Sequence, residues 1–129
     1  MNAPRPLSPH LSVYRFAHTM VLSVLHRATG IVLSVALLGA VSWLLALAAG
    51  PVAYARVMAL WQSPLGWLVR VGLLACMAYH LCAGIRHLVF DAGYVLEKGS
   101  ARRAGQLVVV ATVLLTVMCV GWLCLAGAV

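Results

Sequence analysis

An imidazole in the middle of an apolar run is the side chain of this sequence least able to stay idle. His80 lies within Leu65 to Phe90, with Gly84 one helical turn further on and Arg86 and His87 about two turns on. Lipid offers a ring nitrogen neither water nor hydrogen bonds, so His80 must find a partner. On a helix it shares a face with Leu73, Cys76, Met77, Ala83, Gly84 and His87. Gly84 removes a side chain near the histidine and would let a flat ring approach the backbone. Met77 and Leu73 supply an apolar wall. Neutral imidazole is a good iron ligand and haem needs an apolar pocket, so this face suits axial haem ligation. The two propionates of a haem would need cationic or hydrogen-bonding partners near water, and His26, Arg27, Arg86 and His87 could supply them. A histidine bridging two helices by a hydrogen bond, with Gly84 serving only close packing, fits the same residues. The residues alone leave both readings open. No other span has a mid-membrane histidine, so a second histidine ligand would have to come from a partner chain.

A second polar stripe lies upstream. Ser23, Arg27, Gly30 and Ser34 follow one another at intervals of four, three and four residues, which places them on one helical face. A hydroxyl and a guanidinium one turn apart could bind the carbonyl oxygens of a small amphipathic ring. Arg27 could equally bind a phospholipid phosphate or extend to the membrane surface. His26, beside the stripe, could face a propionate, water or another subunit. Thr29 is expected to bond to a preceding backbone carbonyl.

These residues must be held by membrane-spanning elements. The chain of 129 residues is 64% hydrophobic and 9% charged, with Asp91 and Glu97 as its only acids. Soluble domains carry about 25% charged residues. The net charge of +7 does not imply nucleic acid, because the nine basic residues are spread between apolar runs, where they read as topology signals and headgroup contacts. The predicted fold is an all-α integral membrane protein forming one domain over residues 1–129, with spans at about residues 20–49, 65–90 and 105–129. Gly50-Pro51 and Ser63-Pro64 punctuate the first connection, which has room for a short interfacial helix. The runs are too continuous and too few for a closed barrel. Cys76, Cys82, Cys119 and Cys124 form no CxxC pair and are expected to be small buried hydrophobes. The N-terminus lacks the pattern of a cleaved signal peptide. Counting Arg5, Arg15, Arg27, Arg86, Lys98, Arg102 and Arg103 on one side against Arg56 and Arg70 on the other places the N-terminus inside. Neither connection can hold a catalytic domain.

The ordered motifs carry a family resemblance. Ser23-Val24-Leu25-His26-Arg27-Ala28-Thr29-Gly30 is similar to the SxxHRx[ST]G motif of cytochrome b556 subunits of succinate dehydrogenase. The run from His80 to Asp91 resembles the HxxxGxRHLxxD signature of the same family, and Arg5 to Tyr14 resembles its RPLSPHLxxY segment. The resemblance covers essentially the whole chain. It implies that His80 is one axial ligand of haem b, the second coming from a smaller anchor subunit. It implies that Ser23 and Arg27 serve a ubiquinone site near the iron–sulfur subunit, and that His26 and Arg27 lie near the haem propionates. His87 becomes a propionate-side or supporting residue rather than a second axial ligand. Asp91 completes the signature and could organise Arg27 or Arg86.

The implied protein is a membrane anchor. Succinate would be oxidised at FAD in a flavoprotein subunit, and electrons would pass through iron–sulfur clusters to quinone. The resemblance favours the bacterial cytoplasmic membrane over the mitochondrial inner membrane, with the C-terminus periplasmic. Two other classes compete: a small transport or channel subunit with Arg70, His80 and Arg86 along a polar path, and a purely structural anchor without haem.

Overall fold

The computed structural model describes residues 17–127. Arg5, Arg15, the Arg5–Tyr14 segment and the last two residues of the third predicted span therefore lie outside the described residues. Four helices follow in order: α1 (His18–Ala48), α2 (Pro51–Trp61), α3 (Pro64–Asp91) and α4 (Lys98–Leu125). Helices α1, α3 and α4 are long and apolar enough to cross a membrane. The fold is all-α, and α2 is the short helix for which the first connection had room.

The breaks fall where backbone chemistry requires them. Gly50, at φ 107°, takes a conformation that L side chains rarely adopt, and Pro51 then opens α2 where a missing N–H costs nothing. Ser63 caps α3: its Oγ accepts from the Gly66 amide at 3.1 Å, with Pro64 at the first helical position. The third span is the boundary that shifts most, because its helix begins at Lys98 rather than Gly105. The Lys98–Ala104 stretch contains no proline and its polar groups can stay hydrated. Apolar patterning located the membrane segment, whereas the backbone hydrogen bonding starts in water before it.

Helix α3 is central and touches all three others, while α1 also meets α4. The packing is thin. Leu22, Ala78, Ala83 and Val108 are the buried hydrophobes among the described residues. In lipid there is no hydrophobic gain from helix association, so small residues and hydrogen bonds must join the helices. Gly105 shows this: a Cβ there would lie 2.6 Å from Leu22 Cδ1 and 3.1 Å from His18 Cε1, so α1 and α4 approach across a missing side chain. Tyr79 Oη donates to the Leu22 carbonyl at 2.8 Å and ties α3 to α1 at the same level. The hydroxyls of Ser34, Ser42, Thr112 and Thr116 turn back to carbonyls four residues earlier, so none is left idle toward lipid.

The four thiols are unpaired, but they are not the buried side chains anticipated. Cys119 and Cys124 are exposed, and Cys76 and Cys82 are half-buried. So few spans enclose too little interior to cover them, and as weakly polar groups they tolerate a lipid or interhelical setting.

At the corner between α2 and α3, a Cβ on Gly66 would overlap the backbone carbonyl oxygens of Leu60 and Trp61. Backbone cannot rotate aside as a side-chain tip can. Gly66→Ala is therefore expected to open the α2–α3 corner at a cost of about 1–3 kcal/mol of overpacking. The check is a lower unfolding midpoint of the purified protein in detergent.

Candidate functional site

The site forms where α1 and α3 face one another. His80, on α3, reaches the backbone of α1: its Nδ1 lies 3.2 Å from the His26 carbonyl oxygen and 3.3 Å from Thr29 Oγ1. A carbonyl oxygen only accepts, so a proton on Nδ1 is what makes the first contact attractive; an unprotonated Nδ1 would set lone pair against lone pair. This assigns the Nδ1–H tautomer and leaves Nε2 as the nitrogen with a free lone pair. Nε2 makes no hydrogen bond to a described residue.

The ring of His80 lines a groove of about 660 Å³ together with Arg27, Gly30, Ile31, Ser34, Val35 and Leu38. The groove is open on the chain's flank, and Ile31, Val35 and Leu38 are 68%, 63% and 67% exposed. A flat apolar ligand seated here would gain a wall from this chain and would need another chain or lipid to close over it.

Gly30 is the glycine that admits the His80 ring. A Cβ on Gly30 would stand 3.1 Å from His80 Cε1, closer than ordinary contact. From sequence, Gly84 has a different part, that of letting a flat ligand ring approach the α3 backbone one turn from His80. In the structure Gly84 instead faces the other imidazole, with its would-be Cβ at 3.8 Å from His26 Nε2. Spacing along one helix could not reveal a neighbour on a second helix.

The predicted site residues divide into two groups. His26, His80 and His87 come together: His26 stacks on His80 with ring centroids 4.1 Å apart and planes 16° from parallel, and lies 5.0 Å from His87. Among the described residues, no three His, Cys, Asp or Glu side chains are placed to hold a metal ion, so the trio stacks rather than chelates. His26 Nε2 is buried without a hydrogen-bond partner among the described residues. Arg27 is exposed on the groove beside His80. Ser23, half-buried one turn toward the start of α1, does not line that groove. Ser23 and Arg27 make no hydrogen bond to a described residue, unlike Ser34, whose hydroxyl bonds to the Gly30 carbonyl.

Asp91 is exposed at the end of α3 and pairs with neither Arg27 nor Arg86. Arg86 turns away from the groove and is 7% exposed, its guanidinium carbon 4.3 Å from the centroid of the Phe90 ring. The residue that sequence reasoning underrated is Thr29. It was expected to bond to its own helix, and does, at 3.0 Å to both the Leu25 and His26 carbonyls. Its additional contact with His80 depends on the pairing of α1 with α3, for which the sequence carries no direct signal.

These features define a helical integral membrane protein that presents an imidazole at a groove between its first and third long helices. The comparisons narrow that class. Residues 1–119 match the family described as succinate dehydrogenase/fumarate reductase transmembrane subunit, and the chain belongs to that family. It is 39% identical over 114 residues to the succinate dehydrogenase cytochrome b556 subunit of Paracoccus denitrificans, covering 88% of both chains. It is 37% identical over 124 residues to the mitochondrial cytochrome b560 subunit of Sus scrofa, covering 91% of this chain and 70% of the relative. It is also similar to the cytochrome b560 subunit of Reclinomonas americana, at 41% identity over 102 residues, covering 75% of this chain and 71% of the relative.

The His80 cradle makes a testable claim about Gly30. Gly30→Ala is expected to push the ring and stretch its bond to the His26 carbonyl, lowering the unfolding midpoint in detergent despite alanine's gain of about 1 kcal/mol in helix propensity. Gly39→Ala on the same helix, with nothing within 4 Å of the new methyl, is the control and should be neutral or stabilising.

Proposed function

We propose that this chain is the haem b- and ubiquinone-binding membrane anchor of a succinate:quinone oxidoreductase, with its N-terminus in the cytoplasm of a bacterium. The observation that carries the reading is the placement of His80: Nδ1 lies 3.2 Å from the His26 carbonyl oxygen of α1, while Nε2 makes no hydrogen bond to a described residue. Metal-bound histidines characteristically donate their other N–H to a carbonyl or carboxylate, which orients the ring and strengthens the ligating nitrogen. The residues present fit a haem. The His80 imidazole stands at an open, mostly apolar groove and would hold the iron there, Gly30 clears space for its ring, and His26 brings an orphaned buried nitrogen alongside.

In this reading His80 supplies one axial ligand and a histidine of a second small anchor subunit supplies the other. Haem b, when bound, offers a one-electron redox centre beside the quinone. His26, Arg27 and His87 stand on the propionate side, where Arg27 would carry the compensating charge. Ubiquinone takes up two electrons and two protons on reduction. The electrons come from succinate through the flavin of one partner subunit and the iron–sulfur clusters of another. Ser23 donates a hydrogen bond to one quinone oxygen, and its hydroxyl is not spent on its own helix. Arg27, one turn away, stabilises the negative charge that builds on oxygen before protonation. The chain itself does not oxidise succinate; it positions the acceptor. Phospholipid closes the faces left by the partner subunits.

Spectroscopy and kinetics of the complete assembly test this. Wild type should show a bis-histidine b-type haem spectrum, and His80→Ala should lose most of that haem while retaining the subunits. Ser23→Ala and Arg27→Ala should lower quinone reduction by about 10-fold or more, the scale of losing one charge-assisted hydrogen bond. Succinate oxidation with an artificial acceptor should be spared. Unchanged haem in His80→Ala would overturn the ligand assignment, and normal quinone turnover in both other variants would overturn the quinone site.

A further inference from the structure

We propose that the Thr29 hydroxyl is a positioning residue for His80: while the His26 carbonyl holds the ring in the Nδ1–H form, Thr29 Oγ1 accepts beside it and sets how strongly Nε2 donates to iron. The inference rests on the reading of His80 as a haem ligand and extends it to a residue on a different helix.

The contact geometry allows few arrangements. Thr29 Oγ1 lies 3.0 Å from the Leu25 carbonyl and 3.0 Å from the His26 carbonyl. A hydroxyl has one proton and two acceptor lone pairs. Both carbonyls can only accept, so the proton goes to one of them and a lone pair of Oγ1 remains toward His80 Nδ1 at 3.3 Å. The His26 carbonyl, 3.2 Å from the same nitrogen, is the second acceptor. Nδ1–H therefore stands between two oxygens, one of which is itself polarised by donating to the backbone of α1. Oxygen acceptors on Nδ1–H raise the electron density at Nε2. A stronger donor stabilises ferric over ferrous iron and lowers the haem potential. Removing the hydroxyl should act in the opposite direction, because the His26 carbonyl would be left as the only acceptor.

The backbone carbonyl cannot be mutated, which makes Thr29 the adjustable half of the pair. Thr29→Val keeps the β-branched shape and deletes the hydroxyl. Thr29→Ala deletes it without risk of crowding, and Thr29→Ser restores the hydroxyl on a smaller side chain. Each variant is to be examined in the complete assembly by redox titration of the haem absorbance and by the g-values of the ferric haem in electron paramagnetic resonance. In the valine and alanine variants the ferric-to-ferrous ratio at a fixed ambient potential should fall about threefold, roughly 30 mV at about 59 mV per tenfold change for a one-electron couple. The g-values should move with it, and serine should return both to the wild-type values. Loss of haem from assembled valine or alanine variants, with retention in serine, would also support the role. Should the valine variant not assemble, alanine and serine decide. Unchanged potentials in valine and alanine, or a serine variant displaced as far as valine, would overturn the proposal. In either case haem that still depends on His80 leaves the ligand reading intact, whereas haem retained in His80→Ala removes its foundation.

Discussion

The hydrogen bond from His80 to the backbone of α1 is the constraint on which the rest of the arrangement depends. Helices in lipid gain nothing from hiding apolar surface from water, so they are located by contacts that lipid cannot replace. Tyr79 and His80 are consecutive on α3, and they reach the carbonyls of Leu22 and His26, one turn apart on α1. Two such bonds fix the relative height and rotation of the helices together. Gly30 then admits the His80 ring, and Gly105 lets α4 close on Leu22 and His18 near the start of α1. Leaving a polar atom unpaired in the membrane costs several kcal/mol, so each bond excludes slipped registers more sharply than apolar contact would.

The same economy explains why the chain presents an open groove. With Leu22, Ala78, Ala83 and Val108 as the buried hydrophobes among the described residues, the helices touch along narrow lines and turn most of their apolar surface outward. The buried Arg86 belongs to this packing. Its face-on contact with Phe90 stabilises a guanidinium by about 0.5–2 kcal/mol and uses no acid, in a chain that has two acids in all. Ile31, Val35 and Leu38, by contrast, line the groove and are mostly exposed among the described residues. A ligand held at His80 would therefore be enclosed jointly, which agrees with membership of a family of enzyme transmembrane subunits.

Much of this was legible in the sequence because lipid makes idle polar groups expensive. That rule singled out His80, His26, Arg27 and Ser23 before any geometry was known, and the apolar runs located the three long helices. The structure brings His26, His80 and His87 into one cluster and sets Arg27 on the His80 groove. What could not be read was the partner of each polar group across helices. Spacing within α3 could not show that the His80 ring is met by Gly30 or that Gly84 faces His26, because the facing residues are decided by how α1 is rotated. Thr29 carried the same ambiguity: its bonds to Leu25 and His26 are local and predictable, whereas its approach to His80 spans 51 positions. Hydropathy marks the uncharged run from Gly105, whereas α4 begins at Lys98, because Lys98 to Ala104 contain no helix-breaking proline.

The proposed haem and quinone roles are also mechanically linked through α1. Successive residues of a helix are rotated by about 100°, so the His26–Thr29 pair and the Ser23–Arg27–Gly30 stripe occupy bordering strips of one surface. Gly30 belongs to the second strip by spacing and to the first by its contact with His80. Arg27 follows His26 directly and lines the groove of the ring on which His26 stacks. Helix α1 cannot turn to improve one strip without displacing the other. The bonds that anchor His80 therefore also fix the direction in which Ser23 and Arg27 project. If both groups bind as proposed, one rigid helix, pinned once, orients the polar residues that would serve each.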